Sequence, residues 1–212
     1  MSSVWRQSIN TVLIGDPRVG KTRLIYKLLH SQLQPYTVDS SSNDVYSMEN
    51  ESYHYKETLF DSFRIVHILN QFERVIINIF DTAGAERYDK IRKQTYKNAH
   101  VIVICYDVSD IESAKNVFLK WVPDIASYKK MYMVVGLCSN RNTDNFGVKY
   151  VEKIVDDPMC FCSMVVNLCD NSGVLNFVNC VVEASNVQKT QKERKNLNKP
   201  WWKKFLRWCM CY

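Results

Sequence analysis

One eight-residue stretch constrains this chain more than any other. Gly15-Asp16-Pro17-Arg18-Val19-Gly20-Lys21-Thr22 fits the pattern GxxxxGK[ST]. A short apolar run, Thr11-Val12-Leu13-Ile14, precedes it and reads as a buried strand. A helical pattern over Gly20 to Leu33 follows, with Leu24, Leu28 and Ile25, Leu29 recurring four apart. A loop between strand and helix turns successive backbone N–H groups inward, and the helix N-terminus adds positive potential. The loop is therefore expected to hold phosphate. Lys21 would reach the outer phosphates, and the Thr22 hydroxyl would ligate Mg2+.

A second motif supports the first. Asp81-Thr82-Ala83-Gly84 follows the apolar run Val75 to Phe80. A strand-end aspartate can support the metal, and a glycine there lets backbone approach a terminal phosphate closely. The chain has only 6 glycines, and Gly15, Gly20 and Gly84 all fall in these two motifs.

The remaining pattern fixes a fold class. Phe63 to Leu69 and Val75 to Phe80 read as strands joined through Asn70-Gln71-Phe72-Glu73, short enough for an antiparallel hairpin. Val101 to Tyr106, Met131 to Gly136 and Met164 to Val166 read as further strands. Helical segments are expected near Ile111 to Tyr128, Gly147 to Val155 and Gly173 to Val187. Such alternation predicts an α/β domain over residues 9–187, with a mostly parallel six-stranded sheet covered by helices on both faces. Ligands of such sheets bind at the carboxyl ends of the strands. Ser31 to Tyr55 is polar and without period and reads as a long surface loop.

These residues resemble the small GTPases of the Ras superfamily, and specifically the Rho family. Tyr55-Lys56-Glu57-Thr58-Leu59-Phe60-Asp61-Ser62-Phe63 is similar to the Rho switch I and effector segment. Ala83-Gly84-Ala85-Glu86-Arg87-Tyr88-Asp89-Lys90-Ile91-Arg92 is similar to switch II, and Trp121-Val122-Pro123-Asp124-Ile125 to the end of the third Rho helix. The resemblance implies a P-loop small G domain that binds GTP or GDP with Mg2+. It implies a nucleotide-binding set of Gly15, Arg18, Val19, Gly20, Lys21, Thr22, Arg23, Thr58, Asp81, Gly84 and Asn140, with Thr22, Thr58 and Asp81 at the metal. Leu59, Phe60 and Asp61 would meet effector proteins. Counting from the phosphate loop instead points to Ser40 or Thr37 in place of Thr58. Choosing Thr58 requires an insertion, mostly residues 35–54, whose closure cost grows only with the logarithm of its length.

Four departures from the family pattern bear on function. Ala85 stands where the family has the glutamine that orients the attacking water, so hydrolysis is expected to be slow and no catalytic residue is assigned. Pro17 replaces a loop glycine where an activating protein's arginine would approach. The base-reading motif after the fifth strand is reduced to Leu137-Cys138-Ser139-Asn140. There Asn140 can accept one guanine hydrogen bond but presents an NH2 to the second donor, with Asp144 as a possible substitute. The later Ser-Ala-Lys-type segment is Asn167-Leu168-Cys169, and the interval from Gly136 to Asn167 leaves no room for the Rho insert helix.

The charge is concentrated at one end. The formal net charge is +6, from 28 Lys/Arg and 22 Asp/Glu. From Gln188 onward there are eight of the former and one of the latter, so residues 188–212 carry +7 and the body −1. That distribution argues against a nucleic-acid-binding fold and for a basic tail meeting an anionic surface. The tail carries Trp201, Trp202 and Trp208 beside Cys209 and Cys211. Tryptophan favours the headgroup zone. A lipid on Cys209 or Cys211, prenyl or palmitoyl, would complete an anchor. A monomer on the cytoplasmic face of a membrane, with a cytosolic pool, is the expectation. No run of eighteen apolar residues is present. Cys105, Cys138 and Cys180 lie in apolar stretches and read as buried free thiols. His30, His54, His67 and His100 read as solvated or edge-strand positions. The leading function is a signalling switch. Its rival is a pseudo-GTPase scaffold, and a P-loop kinase ranks third because no substrate lid is evident.

Overall fold

A computed structural model describes residues 4–30, 60–69, 73–139, 146–152, 157–170 and 172–194. Thr58, Leu59, Asn140, Asp144, Cys209, Cys211 and the 35–54 stretch lie outside the described residues. Six strands form one sheet: β1 (Val4–Gly15), β2 (Phe60–Ile68), β3 (Glu73–Thr82), β4 (Val101–Asp107), β5 (Met131–Cys138) and β6 (Cys160–Asn167). Their order is β2-β3-β1-β4-β5-β6. Only the β2–β3 pair is antiparallel, and Leu69 N–H donates to the Glu73 carbonyl (3.0 Å) at its turn. The mostly parallel six-stranded sheet with one hairpin is as the sequence predicts.

Strand alternation divides the interior into two cores. In β1, Ile9 and Leu13 face one side, Val12 and Ile14 the other. In β4, Val101, Val103 and Cys105 share the first core, and Ile102, Ile104 and Tyr106 the second. Helices α1 (Lys21–His30) and α6 (Val174–Arg194) supply Leu24, Ile25, Leu28, Phe177, Val178 and Val181 to the first. The second receives Tyr96 of α2 (Asp89–Asn98), Ala114 of α3 (Ile111–Asn116), Ile125 of α4 (Val122–Ala126) and Val151 of α5 (Phe146–Glu152). Burying both faces of each central strand removes the polar alternation that a one-sided sheet would need.

Between α3 and α4 the backbone forms a π-turn, Val117–Trp121. Pro123 lacks the N–H that the carbonyl four residues back would use, and the turn preceding it widens. Several expectations need correction. β1 begins at Val4, seven residues before Thr11. Asp89–Asn98 forms helix α2, which the sequence pattern does not predict, and α6 continues to Arg194, seven residues past Val187. Of the three cysteines read as buried, Cys105 is buried, while Cys138 and Cys180 are only partly so. His67 is on the edge strand as expected but is 7% exposed, not solvated.

Candidate phosphate-binding site

β1 ends beside β4, with Gly15 in register with Cys105. A Cβ at Gly15 would lie 2.1 Å from the Cys105 carbonyl oxygen, and its φ is +141°. Only glycine lets the chain leave the sheet at this point. The loop then passes through Arg18, a non-glycine residue at φ 65°, and closes on α1 through Leu24 N–H to the Gly20 carbonyl (2.9 Å). Val19 is buried beneath the loop, while Pro17, Arg18 and Arg23 are exposed.

Lys21 is folded into this loop. Its Nζ donates to the Gly15 carbonyl (2.9 Å) and the Asp16 carbonyl (2.8 Å), and the residue is 6% exposed. Burial pushes its pKa down, and the nearby Asp81 charge opposes that shift. An ammonium has three donors, of which these two carbonyls take two. The loop therefore aims its cation at its own mouth rather than out into solvent.

Asp81 stands at the end of β3, the neighbour of β1, with 0% exposure. The Thr22 hydroxyl donates to Asp81 Oδ2 at 2.5 Å. Among the described residues, Asp81 Oδ1 is buried with no hydrogen-bond partner. Burial raises the pKa of this carboxyl, against the pull of Thr22 and Lys21. Thr82 Oγ1 donates to the Leu13 carbonyl (2.7 Å), which fastens the second motif to the strand that carries the first.

Gly84 meets the phosphate loop directly. A Cβ there would lie 2.5 Å from Gly15 O and Pro17 N and 2.6 Å from Asp16 C. Phe60 and Asp61 flank the same end of the sheet, in register with Thr82 and Asp81. Both are exposed, and Phe60 stacks on Phe80 with centroids 5.9 Å apart. The structure thus gathers Gly15, Val19, Gly20, Lys21, Thr22, Asp81, Gly84 and Asp61 at the carboxyl ends of β1 and β3.

The far end of the site has a different character. A Cβ at Gly20 would meet Leu168 Cδ1 at 3.2 Å and Leu137 Cδ1 at 3.5 Å, and both leucines are fully buried. The segments after β5 and β6 are tied together. Leu168 N–H donates to the Cys138 carbonyl (2.8 Å), and Cys169 Sγ to the Ser139 carbonyl (3.2 Å).

Four residues near the site were assigned no role from the sequence: Asp16, Asn116, Trp121 and Arg92. Asp16 Oδ2 accepts from Asn116 Nδ2 (2.7 Å) and its Oδ1 from Trp121 Nε1 (3.0 Å). Arg92 is 2% exposed. Its Nη1 donates to the Ala83 carbonyl (2.9 Å) and reaches the Ala85 carbonyl (3.5 Å), and its Nη2 pairs with Asp89. Asp16, Arg92 and Trp121 each lie in a stretch similar to the family, but the pattern gives them no role, and Asn116 lies in none.

Comparison with known proteins agrees with this geometry. A sequence profile of the Ras family matches residues 45–159. The Rho-related GTP-binding protein RhoF of Homo sapiens is 32% identical over 123 residues, 58% of this chain and 49% of that protein. The Bos taurus RhoF is likewise 32% identical over 123 residues, 48% of its length. GTP-binding protein rho3 of Schizosaccharomyces pombe is 30% identical over 148 residues, 68% of this chain and 62% of its own. The chain thus spans about half the length of the RhoF relatives it matches.

Proposed function

The chain belongs to the Ras superfamily as a Rho-like small GTPase, and from that premise we propose that it is a guanine-nucleotide-binding switch protein whose hydrolysis is slow. The observation that carries the reading is the buried Asp81 carboxylate, with one oxygen held by Thr22 and the other, among the described residues, without a hydrogen-bond partner beside the Lys21 ammonium. An orphaned buried oxygen is costly unless something satisfies it. A hydroxyl and a carboxylate at this spacing fit Mg2+, which takes few protein oxygens and completes its shell with water and phosphate. Thr22 and Asp81 would hold the ion, with Thr58 as the third expected residue. When bound, it neutralises phosphate charge. The protein's own part is to cradle phosphates on the loop amides and to offer Lys21 and Gly84 to their outer oxygens.

Ala85 explains the slow turnover. A methyl group cannot hold a water in line with a phosphate, so the triphosphate form persists. Leu59, Phe60 and Asp61 meet effectors in that form, and the basic tryptophan-rich tail, with a lipid on Cys209 or Cys211, holds the protein at the cytoplasmic face of a membrane. The protein acts as a monomer on cytoskeletal or trafficking effectors.

A second reading, a scaffold that binds nucleotide weakly or not at all, draws on Gly84 packed onto the loop and on the leucines above Gly20. Heat denaturation of purified full-length protein, followed by chromatography of released nucleotide, separates the two. Stoichiometric GTP or GDP supports the switch. Protein that purifies empty, and stays empty after incubation with Mg2+ and excess GTP, refutes it.

A further inference from the structure

The third helical segment is tied to the phosphate loop directly and to Ala83–Ala85 through Arg92, and Trp121 takes part in both ties. Trp121 is 0% exposed on the π-turn that Pro123 forces. A core tryptophan needs only some acceptor for its indole N–H. Here the acceptor is Asp16, a residue of the phosphate loop, and the other oxygen of that carboxylate is taken by Asn116 of the same helical segment. The loop is thereby fastened at the residue whose backbone carbonyl also accepts from Lys21.

The opposite contact of the indole is Arg92, its guanidinium 4.7 Å from the ring centroid. Every guanidinium nitrogen is engaged. Nε donates to Tyr96 Oη (3.0 Å), Nη1 to the Ala83 and Ala85 carbonyls, and Nη2 to Asp89. Tyr96 Oη in turn donates to Asp124 of α4 (2.9 Å). Ala83 and Ala85 flank Gly84, so one planar group sets the peptide orientation on both sides of the glycine that abuts the loop.

We propose that Trp121 is a positioning residue that couples the phosphate loop to the Ala83–Ala85 segment, through Asp16 on its N–H and Arg92 on its ring. The proposal rests on the nucleotide-binding reading above. A triphosphate gripping Lys21 and Gly84 together engages both ends of this connection, whereas a diphosphate engages the loop alone. Trp121 therefore contributes to telling the two apart, although it touches neither.

The test uses full-length protein and two variants. Trp121→Phe keeps a ring for Arg92 but removes the donor to Asp16. Asp16→Ala removes the acceptor from a half-buried loop position, and it carries the test if Trp121→Phe does not fold. Affinities for GTPγS and GDP are measured by competition against a fluorescent nucleotide with Mg2+ present. The expected result is a fall of at least about threefold in the GTPγS-to-GDP affinity ratio for each variant, with no further fall in the double variant. Unchanged ratios with a lowered melting temperature would make Trp121 a packing residue and overturn the proposal alone. Failure of the unaltered protein to bind either nucleotide would overturn the proposal and the switch reading together.

Discussion

Gly84→Ala isolates the contact between the two phosphate-facing segments. The new methyl carbon would stand 2.5 Å from Gly15 O and Pro17 N and 2.6 Å from Asp16 C. Carbon contacts settle at about 3.5–4.0 Å, so the segments must part by roughly 1 Å. All three obstructing atoms are backbone, and no rotamer change relieves them. Overpacking of this kind costs about 1–3 kcal/mol, which in a domain of this size lowers the melting temperature by on the order of 2–12 °C. The same displacement would carry the Gly84 N–H away from a terminal phosphate. A charge-assisted hydrogen bond is worth about 1.5–3 kcal/mol, so GTPγS affinity should fall roughly 10- to 150-fold. GDP, which does not reach Gly84, should bind as before. Calorimetric melting and nucleotide competition on the same preparation read both effects. A variant with the original melting temperature and the original GTPγS affinity would refute the packing argument and the phosphate role together.

Three other outcomes are expected. Ala85→Gln should raise single-turnover GTP hydrolysis by roughly tenfold or more, because an amide can hold the attacking water; a rate equal to that of the unaltered protein would reject the assignment. His67 is buried between β2 and α6, with Nε2 against Asn179 Oδ1 (3.1 Å), and burial holds its pKa below the usual 6.5. The unfolded chain then binds the proton more readily, so this contribution to stability is present above pH 6.5 and is lost as the pH falls towards the depressed folded value. His67→Gln should flatten the melting temperature between neutral pH and mild acid, and an unchanged slope would count against the assignment. Replacing Cys209 and Cys211 together by serine should move the protein from membrane pellet to supernatant in fractionated cells; an unaltered distribution would remove the lipid anchor from the scheme.

The central strands and the phosphate loop were legible because apolar side chains or glycines create them. Val101–Asp107 is buried along nearly its whole length, and no other element type suits so short an apolar run between turns. Helix α2 was illegible for the opposite reason. Its buried positions are Arg92 and Tyr96, while Ile91 is 47% exposed, so hydropathy places its inner face outside. Hydrogen bonds to Ala83, Asp89 and Asp124 make that burial tolerable, and polar partners of this kind leave no apolar period in the sequence. The first half of β1 does not show in the sequence because Gln7, Ser8 and Asn10 interrupt its apolar pattern, although β3 pairs with it from Val4 onward. The far end of α6 fades from the periodicity in the same way. Gln188 is nonetheless buried there, because its Oε1 accepts from Met131 N–H (3.0 Å).

The two ends of the site are built from unlike materials, and ligand selectivity follows from that difference. At the phosphate end, Gly15, Lys21, Thr22 and Asp81 act through backbone, charge and hydroxyl, and the Thr82 and Asp16 bonds hold them in place. At the other end, the groups nearest Gly20 are the Leu168 and Leu137 methyls, with the Ser139 hydroxyl just beyond them. The two leucines are fully buried and carry no hydrogen-bonding group, which leaves a single hydroxyl, that of Ser139, among the groups nearest Gly20. On the reading proposed above, base reading would fall to Asn140, whose side-chain oxygen can accept from one of the two guanine donors. Selectivity is a difference of affinities, and a single neutral mismatch is worth about 1–3 kcal/mol. Competition of GTP against ATP for the purified protein should therefore give a preference no larger than roughly 150-fold. Inorganic triphosphate should compete measurably, since most of the affinity resides in the phosphates. A preference for GTP beyond about 10,000-fold would require more than 5 kcal/mol of base discrimination. The described residues around Leu137 and Leu168 offer no source for that amount, so such a result would show that this account of the base end is wrong.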